Sequence, residues 1–197
     1  GYTITVGTTS VGTNPALYNK LPYDTLKDFT FISQMGILQI VLSVHPSLPV
    51  KTLDELIAYA KKNPGKLNYS SFGNGTMGHL SGEYFKVSAG IDVTHVPYKG
   101  ATPAAVAVAA GEVDAAMQGL GTVTSLIQSG KLRLLAVSTP ARLAQYPQTP
   151  TFTEAGLKDF TFNSSKYDQG SITLASVSAE YSYLVLSVQN TIRLDYL

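Results

Sequence analysis

The sequence predicts an α/β fold in which helices flank a mainly parallel β-sheet. Short apolar segments with strand composition alternate with segments that carry helix caps along most of the chain. Strands that alternate with helices in this way imply right-handed crossovers and parallel neighbours. The clearest cap is a capping box of Thr52 and Glu55, which precedes an apolar stripe formed by Leu53, Leu56, Ile57 and Ala60.

The predicted elements follow one another in a regular order. Strands are predicted at residues 2–6, 29–33, 38–44, 67–70, 92–97, 113–117 and 132–137. A small polar loop is predicted at 7–13, a short helical turn at 14–18, and longer helices after Thr52 and at 76–89, 102–110 and 122–129. Beyond residue 163 the alternation stops, although residues 172–177 and 181–186 have strand composition.

Composition narrows the class of protein. The 197 residues carry a formal net charge of +1, and 44% are hydrophobic while 14% are charged. These values exclude a disordered chain and argue against both a membrane protein and a nucleic-acid binder. The longest apolar stretch, residues 37–42, is far too short to span a bilayer, and the first residues show no signal-peptide pattern.

Residues that could support catalysis are scarce. The chain has no cysteine, which excludes a thiol nucleophile, an iron–sulfur cluster and a cysteine zinc site. The three histidines, His45, His79 and His95, lack metal-ligand spacing, and isolated histidines are more commonly structural. Motifs typical of serine hydrolases, zinc proteases, P-loops and dinucleotide-binding folds are missing from the sequence. We therefore expect no enzyme, no catalytic residue, no cofactor and no metal.

The segment from residue 70 to residue 76 is the most informative local feature. It joins a predicted strand to a predicted helix and contains Ser71, Gly73, Asn74, Gly75 and Thr76. Glycines allow the backbone to approach a ligand, and the free amides at a helix start attract an anion. The alternative is an ordinary turn capped by Asn74 or Thr76. Such loops line the ligand-binding edge of open α/β sheets, which favours binding.

Two further strand ends carry candidate side chains. Tyr98 and Lys99 follow the predicted strand at 92–97, where a tyrosine can hydrogen-bond and a lysine can attract an anion. The alternative is a surface loop with a solvated lysine. Gln118 lies just past the strand at 113–117 as a third candidate, although its sequence position slightly favours a polar residue that ends a strand.

Motifs throughout the chain match one receptor family in order and spacing. They include Asn14-Pro15-Ala16-Leu17-Tyr18, Lys62-Asn63-Pro64-Gly65-Lys66-Leu67, Gly73-Asn74-Gly75-Thr76, His79-Leu80, His95-Val96-Pro97-Tyr98-Lys99-Gly100, Gly111-Glu112-Val113-Asp114 and Glu154-Ala155-Gly156-Leu157. From residue 1 to about residue 162, the chain resembles the Bug-type receptors of tripartite tricarboxylate transporters. Such receptors are periplasmic solute-binding proteins.

The resemblance implies a two-lobed fold similar to the type II periplasmic binding proteins, with hinge strands at 38–44 and 132–137. Residues 1–42 would form the first part of lobe I, without the opening βα unit of the family. Residues 43–137 would form lobe II, and residues 138–197 would return to lobe I, with an atypical segment at 163–197.

The resemblance also implies a function. The receptor would capture a small carboxylated molecule between its lobes, as a monomer, and deliver it to the membrane components of a tripartite transporter. The ligand would be a dicarboxylate, a tricarboxylate, an amino acid or an aromatic acid, and nucleic acid would not be a partner. The expected ligand-binding residues are Thr9, Ser10, Ser71, Gly73, Asn74, Gly75, Thr76, His79, Tyr98, Lys99 and Gln118.

Two other hypotheses remain open at this point. One is an α/β enzyme that acts on a small carboxylated metabolite, and the other is a structural fragment that binds nothing. An enzyme needs a positioned base, nucleophile or metal, whereas a binding protein needs only amides, hydroxyls and a hinge. The sequence contains the second set.

Overall fold

The computed structural model describes residues 3–8, 10–157, 160 and 181–188. The chain divides into two compact units, which comprise Gly1–Ile37 with Tyr181–Leu197, and Leu38–Glu180. The elements in order are β1 (Thr3–Gly7), α1 (Ser10–Leu17), β2 (Phe29–Leu38), β3 (Ile40–Val44), α2 (Leu53–Lys62), β4 (Asn68–Ser71), α3 (Met77–Ala89), β5 (Thr94–Pro97), α4 (Ala101–Ala109), β6 (Ala115–Gly119), α5 (Leu120–Gln128), β7 (Arg133–Val137) and β8 (Tyr181–Val188).

The first unit is built on a three-stranded sheet with the order β1-β8-β2. β8 runs antiparallel to β1, with Thr3 opposite Val188. The strand composition of residues 181–186 is therefore confirmed as β8. The strand suggested at 172–177 lies outside the described residues.

α1 corrects the sequence prediction of a polar loop at 7–13 and a helical turn that starts at Asn14. The helix begins at Ser10 and contains Pro15. Just before the helix, Thr8 Oγ1 accepts from the Ser10 N–H at 3.4 Å. Asn14 is not a cap, since its amide donates to the Tyr23 hydroxyl at 2.7 Å.

The second unit contains a five-stranded sheet with the order β5-β4-β6-β3-β7. β4 runs parallel to β5 and β6, and β3 runs antiparallel to β6 and β7. The α/β class with helices flanking a sheet is thus confirmed, and the sheet is mixed rather than mainly parallel, because β3 pairs antiparallel with both of its neighbours. The strand at 38–44 divides in two, because β2 continues to Leu38 and β3 begins at Ile40. Every residue of β3 is buried.

The helices of this unit bury their apolar sides on the sheet. In α2, the Thr52 hydroxyl accepts from the Glu55 N–H at 3.2 Å, which confirms half of the predicted capping box. The Glu55 carboxylate accepts from the Lys51 N–H, one residue before the cap, rather than from Thr52. In α3, Gly78 and Gly82 permit a close approach to the sheet, since a Cβ on Gly82 would lie 2.2 Å from the Tyr69 ring.

Candidate functional site

The loop between β4 and α3 is closed by its own hydroxyl groups. Ser71 Oγ accepts from the Gly73 N–H at 3.2 Å, and Thr76 Oγ1 donates to the Gly73 carbonyl at 2.6 Å. Gly73 and Gly75 have φ angles of 137° and 70°, a region that favours glycine. The predicted strand-to-helix loop at 71–76 is therefore a compact turn whose backbone lies at the start of a helix.

The first turn of α3 has no side-chain cap. Thr76 occupies the N-cap position, but its hydroxyl donates to Gly73 and makes no cap hydrogen bond to the helix. The first turn also contains no acidic residue, whereas the first turn of α2 contains Asp54 and Glu55. The positive end of the α3 dipole is therefore left without a neutralising side chain, which favours an anion.

The loop after β5 lies directly beside this turn. The Tyr98 N–H donates to the Ser71 carbonyl at 3.0 Å, and a Cβ on Gly73 would lie 3.6 Å from the Tyr98 carbonyl oxygen. Tyr98 is half-buried and packs against the apolar cluster of the second unit, while Lys99 is exposed. The structure thus brings the two strand-end loops together, as expected for neighbouring parallel strands.

Gln118 is fully buried at the end of β6. In the amide orientation that satisfies both neighbours, its nitrogen donates to the Ala101 carbonyl and its oxygen accepts from the Ala105 N–H, each at 3.0 Å. Both polar groups of this side chain are therefore engaged by the first turns of α4. The sequence predicted Gln118 just past a strand, whereas it lies inside β6, and no local pattern indicated that a helix would cover it.

Two histidines support the loop from one side. The rings of His79 and His95 stack with centroids 4.1 Å apart and an angle of 14° between their planes. His79 Nδ1 accepts from the Gly75 N–H at 3.1 Å, and His95 Nε2 lies 2.7 Å from Ser71 Oγ. The sequence analysis did not place His95 at this site. His95 lies opposite Tyr69 in the parallel pairing of β4 and β5, so an argument from strand pairing could have placed it near the loop.

Charged and polar groups surround the histidine pair. The Tyr69 hydroxyl donates to Glu83 at 2.8 Å, and Lys86 forms an ion pair with Glu83 at 2.9 Å. Burial, reinforced by His79, lowers the pKa of His95 to about 4. Burial and the neighbouring Glu83 carboxylate raise the pKa of Tyr69. His95 is consequently neutral at physiological pH, and its contact with Ser71 is a hydrogen bond without formal charge.

The expected ligand-binding residues fall into three groups. Eight of them lie in the two adjacent loops or contact them directly, namely Ser71, Gly73, Asn74, Gly75, Thr76, His79, Tyr98 and Lys99. Gln118 is covered by α4. Ser10 is the first residue of α1 and belongs to the first unit, while Thr9 lies outside the described residues.

Sequence comparison gives the family. A family model described as the tripartite tricarboxylate transporter family receptor matches residues 1–166. The chain belongs to this receptor family. A UPF0065 protein of Bordetella pertussis is 39% identical over 162 residues, which cover 81% of this chain and 49% of that protein. This chain is also 33% identical to BugT of the same bacterium over 162 residues, which cover 81% of this chain and 50% of BugT.

Solved structures agree with this assignment. Rpa4515 of R. palustris, solved with adipate, is 32% identical with a TM-score of 0.78, and the match covers 94% of this chain and 56% of that one. MatC of Rhodopseudomonas palustris, with bound malate, is 25% identical with a TM-score of 0.77, and the match covers 94% of this chain and 57% of that one. This chain therefore has the fold of the solute-binding proteins of its family.

This member of the receptor family spans about half the length of the curated relatives it matches. Among its described residues, no helix combines the length and the hydrophobicity that crossing a bilayer requires. Within the same residues, no three potential metal-binding side chains of His, Cys, Asp or Glu come together.

Proposed function

We propose that this protein is an extracytoplasmic receptor that captures a small carboxylated molecule at the loop formed by residues 71–76. The observation that carries the proposal is the start of α3, where a glycine turn precedes helix amides that have no side-chain cap and no acidic neighbour. Such a helix start binds a carboxylate through backbone N–H groups and the helix dipole.

The neighbouring loop supplies the groups that recognise the rest of the ligand. Tyr98 is held beside Gly73, and the exposed ammonium group of Lys99 lies one residue further along. Backbone amides bind all carboxylates alike, so selectivity between one carboxylate and another must come from such side chains. Gln118 contributes through α4, since its amide fixes the first turns of the helix that follows the Tyr98 loop.

Relatives support the class of ligand. Rpa4515 is solved with adipate and MatC with malate, which are both dicarboxylates. By analogy with these family members, the ligand proposed here is a dicarboxylate or a related small acid. The protein would work in the periplasm as a monomer, pass the ligand to the membrane components of a tripartite transporter, and release the acid chemically unchanged.

The loop can be tested with a valine substitution and a matched control. Gly75 and Gly130 have nearly equal φ angles of 70° and 71°, so valine causes similar backbone strain at both positions. Gly130 follows α5, and a Cβ added there would meet no atom within 4 Å. Gly75→Val should weaken adipate and malate binding by at least about tenfold relative to Gly130→Val in calorimetric titrations. Equal affinities of the two folded variants would contradict the proposed site.

A further inference from the structure

We propose that His79 is a positioning residue of this loop, whose imidazole ring fixes Gly75 without placing a negative charge beside the ligand. The inference rests on the function proposed above and concerns how the loop is held. It is supported by a comparison of two helix starts within the same protein and by the contacts of the histidine pair.

α2 and α3 begin with a matching hydrogen bond between the backbone and a side chain. Each has a threonine at its N-cap, Thr52 or Thr76. In each, the residue before the threonine donates its N–H to the side chain of the third helical residue. Lys51 donates to the Glu55 carboxylate in α2, and Gly75 donates to His79 Nδ1 at 3.1 Å in α3. The two starts share this hydrogen bond and differ in the charge of its acceptor, and they differ also at the cap, because Thr52 caps α2 while Thr76 makes no cap hydrogen bond to α3.

That difference matters for an anionic ligand. A carboxylate at the third helical position stabilises the positive end of a helix, but it repels a second carboxylate that approaches the same amides. His79 accepts through a ring nitrogen, Nδ1, and an imidazole ring, unlike a carboxylate, carries no negative charge. The loop is closed in α3 as it is in α2, while the helix end keeps its attraction for an anion.

His95 completes the support. Its ring stacks on His79 at 4.1 Å, and its Nε2 lies 2.7 Å from Ser71 Oγ, which in turn accepts from the Gly73 N–H. The two rings therefore hold both glycines of the loop, Gly75 directly and Gly73 through Ser71. Tyr69, Glu83 and Lys86 are the other titratable groups around the pair.

Three substitutions at His79 separate the ring, the acceptor and the charge. His79→Phe keeps a ring for stacking and removes the acceptor. His79→Gln offers a neutral acceptor, and His79→Glu offers a charged one of the same length, as Glu55 does in α2. His45→Phe is the matched control, because His45 Nδ1 also accepts from a nearby backbone N–H, that of Ser47 at 3.2 Å.

Two measurements are made on each variant. The first is hydrogen exchange of the Gly75 amide by NMR without ligand, and the second is calorimetric titration with adipate and with malate. We expect His79→Phe to accelerate Gly75 exchange and to lower affinity, each by about tenfold or more, and His79→Gln to restore both. His79→Glu should protect the Gly75 amide yet lower affinity by about tenfold relative to His79→Gln. His45→Phe should change neither quantity.

Unchanged Gly75 exchange in His79→Phe would overturn the positioning role, and equal affinities of His79→Glu and His79→Gln would overturn the role of charge. If the parent binds neither acid, a dicarboxylate as the ligand of the proposed function is contradicted. The exchange rates of Gly75 then still decide whether His79 holds the loop, because they need no ligand.

Discussion

The side-chain amide of Gln118 donates to the carbonyl of Ala101 at 3.0 Å, across the space between β6 and α4. The same amide accepts from the Ala105 N–H, so one buried side chain holds two backbone groups of the helix. The small buried residues of α4, Ala104 and Ala105, allow this approach. Because α4 follows the Tyr98 loop directly, Gln118 links the sheet to one wall of the proposed site.

Replacing Gln118 with leucine should destabilise the protein. The substitution removes two hydrogen bonds inside the core, and we expect the free energy of unfolding to fall by about 1–3 kcal/mol. Urea unfolding monitored by circular dichroism measures the change. Lys99→Ala is the control, because Lys99 is exposed and a surface substitution should stay within about 0.5 kcal/mol. Equal stabilities of Gln118→Leu and the parent would show that these hydrogen bonds do not stabilise the fold.

Two glycines should respond in opposite directions to alanine. A Cβ on Gly82 would lie 2.2 Å from the Tyr69 ring, so Gly82→Ala should cost about 1–3 kcal/mol of stability through overpacking. Gly121 lies in α5 with no atom within 4 Å of the added Cβ, so Gly121→Ala should add about 0.5–1 kcal/mol. Thermal unfolding of both variants checks the signs, and a stabilising Gly82→Ala would contradict the close packing of α3 on β4.

His95 should make stability depend on pH. Its folded pKa of about 4 lies below its ordinary value of 6.5, so the unfolded chain binds the proton more readily. The contribution of neutral His95 is fully present above about pH 6.5, is lost as the pH falls towards 4, and is constant below that. Urea midpoints of the parent should therefore fall between about pH 6.5 and pH 4 more steeply than those of His95→Gln. Parallel curves would show that His95 has no lowered pKa.

The Tyr98 hydroxyl should contribute to selectivity between ligands rather than to the stability of the fold. Its ring packs on the apolar cluster, and Tyr98→Phe retains that packing while it removes the hydroxyl. If the hydroxyl contacts ligand, the loss of a neutral hydrogen bond lowers affinity by about 0.5–1.5 kcal/mol, which is up to about tenfold. We expect the loss to differ between adipate and malate in calorimetric titrations. An equal loss for both acids would remove Tyr98 from the set of residues that discriminate.

Local patterns in the sequence predicted much of the second unit. The cap at Thr52, the glycine turn at 73–75 and the end of α3 at Gly90 depend on residues close in sequence, so composition and spacing are enough. The same holds for the adjacency of the 71–76 and Tyr98 loops, because parallel strands end at one edge of a sheet.

Contacts between segments that are far apart in the sequence could not be predicted from it. The burial of Gln118 depends on where α4 crosses β6, and the stack of His79 on His95 depends on the packing of α3 against β5. Neither distance can be derived from residue spacing. The start of α1 was misplaced for a smaller reason, since asparagine is a common cap and only the structure shows that Asn14 lies inside the helix and donates to Tyr23.

The central claim is that this protein binds a small molecule through its carboxylate group. The most direct test is calorimetric titration of the purified protein with adipate and malate, alongside the corresponding neutral diamides. We predict saturable one-to-one binding of at least one acid and no measurable binding of its diamide, because the helix start recognises negative charge. Binding of the diamide as tightly as the acid would contradict the claim, and binding of neither acid would contradict a dicarboxylate as the ligand.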